Sequence, residues 1–398
     1  MTLVATAHRP LLPILLALSG AHFLNDLISS MIPATYPLLK EAYRLDFVQV
    51  GLITLAFQLT ASLLQPLLGL LTDHKPWPYA MVAGMAASLS GLLGLASAAN
   101  YATVLVSAAL IGLGSAVFHP EATRMARHAA AGQHGFAQGI FQIGGHAGYA
   151  LGPLLAAMVV VPRGQTSIAW LSVVALVAMV LMAWTGGRYA EMRSAQVLTR
   201  LRQAATAEPV LPGGRVLLAM TVLIVLLVSK NAYSAAFTSY YTFYLIERFG
   251  VTVQLSQFML SLFLVVGALG VVVGGMIGDR FGRHRVIWIS ILGTLPFALL
   301  LPHADLFWTG VLSVVISFIL ASAFSSILIY AIDLVPHRVG LVGGLFYGLS
   351  FGLGGLAAAA LGLLADHLGI IVVFKLAAWL PALGLMTFLL PPTPRARS

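Results

Sequence analysis

Cysteine is absent from all 398 residues, which excludes disulfides, thiol catalysis and thiolate-bound metals. Charge is scarce as well. Asp, Glu, Lys and Arg make up 8% of the chain, against about 25% in a typical soluble domain. From Pro76 to Phe118 no charged side chain occurs at all. With 60% hydrophobic residues and a mean hydropathy of +0.96, such a chain would have too little polar surface to stay dispersed in water. These shortages leave an integral membrane protein, with the lipid bilayer as its first partner. A cleavable signal peptide is not expected, because the apolar run from Leu11 continues into a full span without a small-residue cleavage site.

A helix needs about 20 mostly apolar residues to cross a bilayer. Charge-poor stretches of that kind place spans near 11–39, 47–71, 79–98, 102–123, 135–161 and 166–187. Six more lie near 215–246, 252–277, 286–301, 306–332, 339–364 and 369–390. The expected fold class is an all-α membrane protein of twelve transmembrane helices in two pseudo-symmetric six-helix bundles. An N-terminal bundle over 1–187 and a C-terminal bundle over 215–398 are joined by a polar cytoplasmic linker, 188–214. With the N-terminus inside, the cytoplasmic segments hold fifteen Lys and Arg residues, and the outer loops hold only Lys40, Arg44, Arg163 and Arg248. That bias puts both termini in the cytoplasm. It also accounts for the net charge of +9 without a nucleic-acid partner.

Six plus six spans suggest duplication, and the charges bear a repeat. "GLLTDHK" (69–75) follows span two and "GMIGDRFGRHR" (275–285) follows span eight. Aligning Asp73 with Asp279 puts Arg127 on Asp333. Parallel repeats of this kind build one large transporter class, with substrate bound near the midplane between the halves. Gly275, Asp279, Arg280, Gly282, Arg283 and Arg285 fill a pattern that resembles the signature loop of the major facilitator superfamily. Asp279 is placed to cap a neighbouring helix N-terminus near Gly340, and the arginines to latch onto helix ends or onto Asp333. The first copy keeps Asp73 but lacks the basic run, so the expected latch is asymmetric. In span five, Gly144, Gly148, Gly152 and Pro153 resemble the Gly-Pro signature of the superfamily's exporters, although close packing of small residues explains the same glycines. The arginine common in span four of proton-driven drug exporters would fall near Ala108 and is missing.

Ionisable groups inside a bilayer are costly and mark function. Span one carries His22, Asn25 and Asp26, with His22 and Asp26 four apart on one helical face. Span five carries Gln138, Gln142, His146 and Tyr149 as one polar stripe, and span seven carries Lys230 followed by Tyr233, Phe237, Tyr241 and Tyr244. Each has a plainer reading: a satisfied buried histidine at His146, an interfacial tyrosine at Tyr244, or a Lys230–Asp26 pair that only holds the halves together. In span four, "FHPEATRMAR" (118–127) breaks a long uncharged stretch. Pro120 interrupts the helix bonding, Glu121 and Arg124 are three apart and can pair, and His119, Glu121 and Arg124 are expected to face a cytoplasmic mouth.

"GSAVFHPEATRMAR", "GFAQGIFQIGGHAGYALGPLLAA" and "HFLNDLISSMIPATYPLLK" are similar to segments of the fosmidomycin resistance protein family, across essentially all the spans. The resemblance implies a bacterial inner-membrane exporter that exchanges a small anionic phosphonate for protons, with the proton gradient as energy source and no cofactor or metal. Lys230, Arg124 and His119 would attract the anion, and Gln142, His146, Asn25, Tyr233 and Tyr241 would orient it. Asp26, Glu121 and His22 are the proton-carrying candidates, and a monomer is expected. An alternative in the same class is a uniporter or proton symporter for a sugar, sugar phosphate or carboxylate. A rival from another class, an intramembrane enzyme using His119 and Glu121, lacks a third ligand or catalytic group nearby in sequence.

Overall fold

The computed structural model describes residues 11–74, 77–130, 134–196, 213–335 and 339–391. Every element among them is helical. Twelve spans follow one another as the sequence predicts. In the first half α1 is Leu12–Ala34, continued by a short helix Tyr36–Tyr43; α2 is Phe47–His74, α3 Ala80–Ala96 and α4 Tyr101–Ala129. α5 begins as His134–Leu155 and passes through a π turn, Ala156–Val160; α6 opens as a 3₁₀ stretch, Gln165–Leu171, and runs on as Ser172–Gln196. In the second half α7 is Gly213–Phe249, α8 Val253–Phe281, and α9 Arg283–Leu292 with Leu295–Leu300. α10 is Leu306–Ala321 with Ala323–Leu334, α11 is Val339–Leu368, and α12 joins Ile370–Ala377 to a 3₁₀ stretch, Leu380–Leu389. Eleven of these are long and apolar enough to cross a membrane, and α3 is a shorter apolar helix.

Two boundaries differ from the sequence reading. α6 continues to Gln196, well into the segment expected to be linker, because Arg188 pairs with Glu191 one turn on at 3.1 Å and supports another turn of helix. α7 starts at Gly213, and the rest of the linker lies outside the described residues.

Close helix packing comes from glycine at particular crossings. A Cβ at Gly144 or Gly148 of α5 would collide with the backbone carbonyls of Ser19 and Phe23 of α1, and one at Gly145 would strike the His22 ring. The span-five glycines therefore seat α5 directly on α1. Long apolar side chains such as Leu63, Val180, Met276, Phe307 and Phe388 are exposed around the perimeter, where lipid replaces a protein partner. Of the hydrogen bonds that join the two halves, Ser261 donates to the Ala150 carbonyl at 2.7 Å midway along α5, and others lie nearer one end of the bundle. Gln257 donates to the Ala34 carbonyl at 2.8 Å, Thr54 and Ser239 meet at 3.3 Å, and Tyr240 reaches the Phe47 carbonyl at 3.2 Å. The basic turns after α4 and α8 lie at the opposite end.

Candidate functional site

The site forms where α1, α4 and α5 meet. His22 and Asp26 share one face of α1, as four-residue spacing dictates, with Nε2 of His22 at 3.3 Å from Asp26 Oδ2. His119 enters from α4 and brings its Nε2 to 3.8 Å from Asp26 Oδ1. Asn25 donates its side-chain amide to the same carboxylate at 2.9 Å. The imidazole of His22 stacks on Phe141 with centroids 4.1 Å apart and stands edge-on to His119 at 5.1 Å. Phe118 closes a third side of His22 at 5.6 Å, so the group is walled by aromatic rings.

The two histidines are oriented from behind. His22 Nδ1 lies 2.8 Å from the Phe141 carbonyl, and His119 Nδ1 lies 2.9 Å from the Ser115 carbonyl. A carbonyl oxygen only accepts, so both Nδ1 atoms carry the proton and donate it. In the neutral rings this leaves both Nε2 lone pairs turned toward the Asp26 carboxylate. Three acceptor groups then face one another, a set able to take up a proton. The three ligand atoms lie within 4.8 Å of one another and could also hold a divalent ion. The sequence reading, which expected no metal, misses this set because it looks for a third ligand only beside His119 and Glu121.

His119 and Glu121 do not work together. Two positions on an α-helix are about 200° apart, so the two side chains leave α4 on opposite faces. Glu121 is 1% exposed and pairs with Arg124 at 2.8 Å, the pairing their spacing predicts. It points into an apolar cavity of about 250 Å³ between α2, α3 and α4, lined by Leu68, Trp77, Val117 and Pro120. The expectation that His119, Glu121 and Arg124 share one mouth is thus corrected: His119 joins His22 and Asp26, and Glu121 turns toward α2 and α3.

On the opposite side, Lys230 of α7 holds its ammonium 5.5 Å from the centre of the Phe324 ring of α10. It does not pair with Asp26, whose ionic partners are His22 and His119. His146 of α5 interacts electrostatically with Asp26 and His22 of the first half and with Lys230 of the second. Gln142 and Tyr149 are half-buried on the same helix. Tyr233 and Tyr241 are buried within the second half, where Phe237 stacks on Phe263 at 4.4 Å beside them.

Of the expected latch, Arg283 is bonded to Asp333 within the second half. Arg280 lies over Phe281 and Arg285 is exposed. The side chains of Asp73 and Asp279 lie outside the described residues, and the expected capping target, Gly340, is in the first turn of α11.

The family model described as Major Facilitator Superfamily matches residues 18–359 and 222–398. The fosmidomycin resistance protein of Escherichia coli (strain K12) is 50% identical over 386 residues, which is 97% of this chain and 94% of that one. An uncharacterized MFS-type transporter of Bacillus subtilis (strain 168), YfnC, is 39% identical over the same shares. Among solved structures, a bacterial homolog of the human lysosomal transporter Spinster, inward-facing and occupied, has a TM-score of 0.73 at 13% identity over 95% of this chain and 94% of that one. The nucleoside transporter NupG has a TM-score of 0.73 at 14% identity over 94% and 98%. At those identities the structures share the fold.

Proposed function

The chain belongs to the major facilitator superfamily, and on that premise we propose that it exchanges a small organic anion of the phosphonate class for protons, exporting the anion from a bacterial cell. The reading is supported by one observation: the cluster His22–Asp26–His119 in the first half faces a membrane-buried lysine, Lys230, in the second, and His146 interacts electrostatically with both. The 50% identical relative called fosmidomycin resistance protein supplies the substrate class. The basic end of the bundle is taken as cytoplasmic, as the Lys and Arg bias requires, and the membrane as the bacterial inner membrane.

The charges explain the direction of exchange. An anion leaving a negative-inside cell gains about 2.3 kcal/mol per charge per 100 mV, and an entering proton gains a similar amount. A phosphonate held by Lys230 with His146 and Gln142 brings negative charge into the cleft. A proton arriving at the triad converts one imidazole to a cation beside Asp26. His146 interacts electrostatically with both groups, so each charge is felt at the other site without direct Lys230–Asp26 contact. The proton gradient is the energy source and no cofactor takes part. Arg124, held by Glu121, lies below the site and would draw anions toward the mouth.

The test is counterflow in proteoliposomes. Radiolabelled fosmidomycin should move against its gradient when an opposing pH gradient is imposed, and its movement should acidify the substrate-loaded side. Movement of both in the same direction would instead establish the symport alternative, and transport indifferent to pH would establish a uniporter.

A further inference from the structure

The first turn of every helix leaves four amide groups without partners inside the helix. In α2 they are all accounted for, but only with help from the other half. Gln49 N–H donates to Asp46 Oδ1 at 2.6 Å, while Asp46 N–H donates to Gln49 Oε1 at 3.0 Å, a reciprocal cap. Val50 N–H then makes the first bond within the helix, to the Asp46 carbonyl at 3.2 Å. Phe47 and Val48 remain, and they donate to the two carboxylate oxygens of Asp366, at 2.7 Å each. Asp366 is in the last turn of α11, in the second half of the molecule. Its negative charge sits where the helix dipole of α2 favours an anion.

The same two helices interlock just below this contact. A Cβ on Gly51 of α2 would come within 2.7 Å of the Ala358 carbonyl and of the Tyr240 hydroxyl. A Cβ on Gly362 of α11 would collide with the Phe47 carbonyl. Tyr240 donates to the carbonyls of Ala358 and Phe47, one from each half. The charged and titratable groups around Asp366 are Asp46 at the same helix start, Tyr240 of α7, Lys40 stacked over Phe47 at 4.2 Å, and His367 beside it on α11.

We propose that Asp366 is a positioning residue for transport: it holds α2 against α11 and so keeps the cleft closed at the end opposite the basic turns. Substrate enters from the basic end while this contact stands, and release at the other end requires both hydrogen bonds to break. The proposal concerns the gate and holds whichever anion is carried.

The chain has no cysteine, so a single reporter can be placed without background. Ser239→Cys is suited to this, since Ser239 is 2% exposed and lies at the α2–α7 contact beneath the gate. A membrane-impermeant maleimide is applied from the Asp366 side of oriented vesicles, and labelling is compared in Asp366→Ala, Asp366→Asn, Asp366→Glu and Gly362→Ala. Labelling at least about tenfold faster in Asp366→Ala and Gly362→Ala, with Asp366→Glu close to the parent, is the expected result. Asp366→Asn should fall between, because an amide offers one acceptor oxygen instead of two. Export by Asp366→Ala should show a raised KM for cytoplasmic substrate with kcat less affected. Unchanged labelling in both Asp366→Ala and Asp366→Asn would overturn the proposal. Faster labelling equally from both sides would overturn it too, since that reports loosening of the fold rather than opening of one gate.

Discussion

In the first six helices the membrane-buried charges are gathered: His22, Asp26 and His119 face one another between α1 and α4, and Glu121 is paired with Arg124 a turn away. In the second six the corresponding depth holds Lys230 against the Phe324 ring, beside buried tyrosines and phenylalanines. The two halves share a fold and a repeat, yet one gathers imidazoles around a carboxylate and the other sets a single ammonium against an aromatic ring. An imidazole–carboxylate cluster gains or loses a proton with small changes in its surroundings, whereas an ammonium over an aromatic face is a standing attraction for anions. On the function proposed above, the cluster of the first half serves coupling, and binding draws on Lys230 together with His146 and Gln142.

Asp26→Asn should break this comparison most severely. It removes the charge that both histidines face, and pH-driven exchange should fall to that of protein-free liposomes while fosmidomycin binding in detergent persists. Loss of binding along with exchange would mean that the triad itself bears on substrate binding. Lys230→Ala should act on the other side of the divide. Losing one charged hydrogen bond costs about 1.5–3 kcal/mol, or roughly 10- to 150-fold in affinity. Titration calorimetry would reveal that loss, and normal affinity would reassign the anion site.

Gly148→Ala tests the scaffold beneath the cluster. Its methyl group would press on the Phe23 carbonyl, and such overpacking costs about 1–3 kcal/mol. A lowered thermal midpoint is expected, with coupling weakened because α1 shifts under His22 and Asp26; an unchanged midpoint would show that α5 can slide. Glu121→Gln should have the smallest effect. Its carboxylate points away from the triad into the cavity beside α3, so the pH profile of exchange should keep its shape. A displaced profile would restore Glu121 to the proton path and narrow the contrast between triad and ion pair.

Much of this was legible from residue spacing. Twelve apolar runs gave twelve helices, and the four-residue interval of His22 and Asp26 gave their shared face. The three-residue interval of Glu121 and Arg124 likewise gave their pair. Partners across helices were not legible, because the rotation of one helix against another depends on packing rather than on sequence distance. His119 therefore looked like the companion of Glu121, its neighbour in sequence, until α4 was seen to turn it toward α1. Asp366 was hidden for a related reason. It sits at the end of an apolar run, where a carboxylate reads as an ordinary loop residue, and its acceptor role becomes visible only with α2 beside it.

The 3₁₀ winding of the last helix has a consequence for the bilayer itself. A 3₁₀ helix rises about 2.0 Å per residue, against about 1.5 Å for an α-helix. The ten residues Leu380–Leu389 therefore advance about 20 Å where α-helical winding would give about 15 Å. That extra length lets Ile370–Leu389, with its proline and short 3₁₀ turns, reach across a hydrocarbon core of about 30 Å with length to spare. The reach of the final span is thus set by its winding as well as by its residue count.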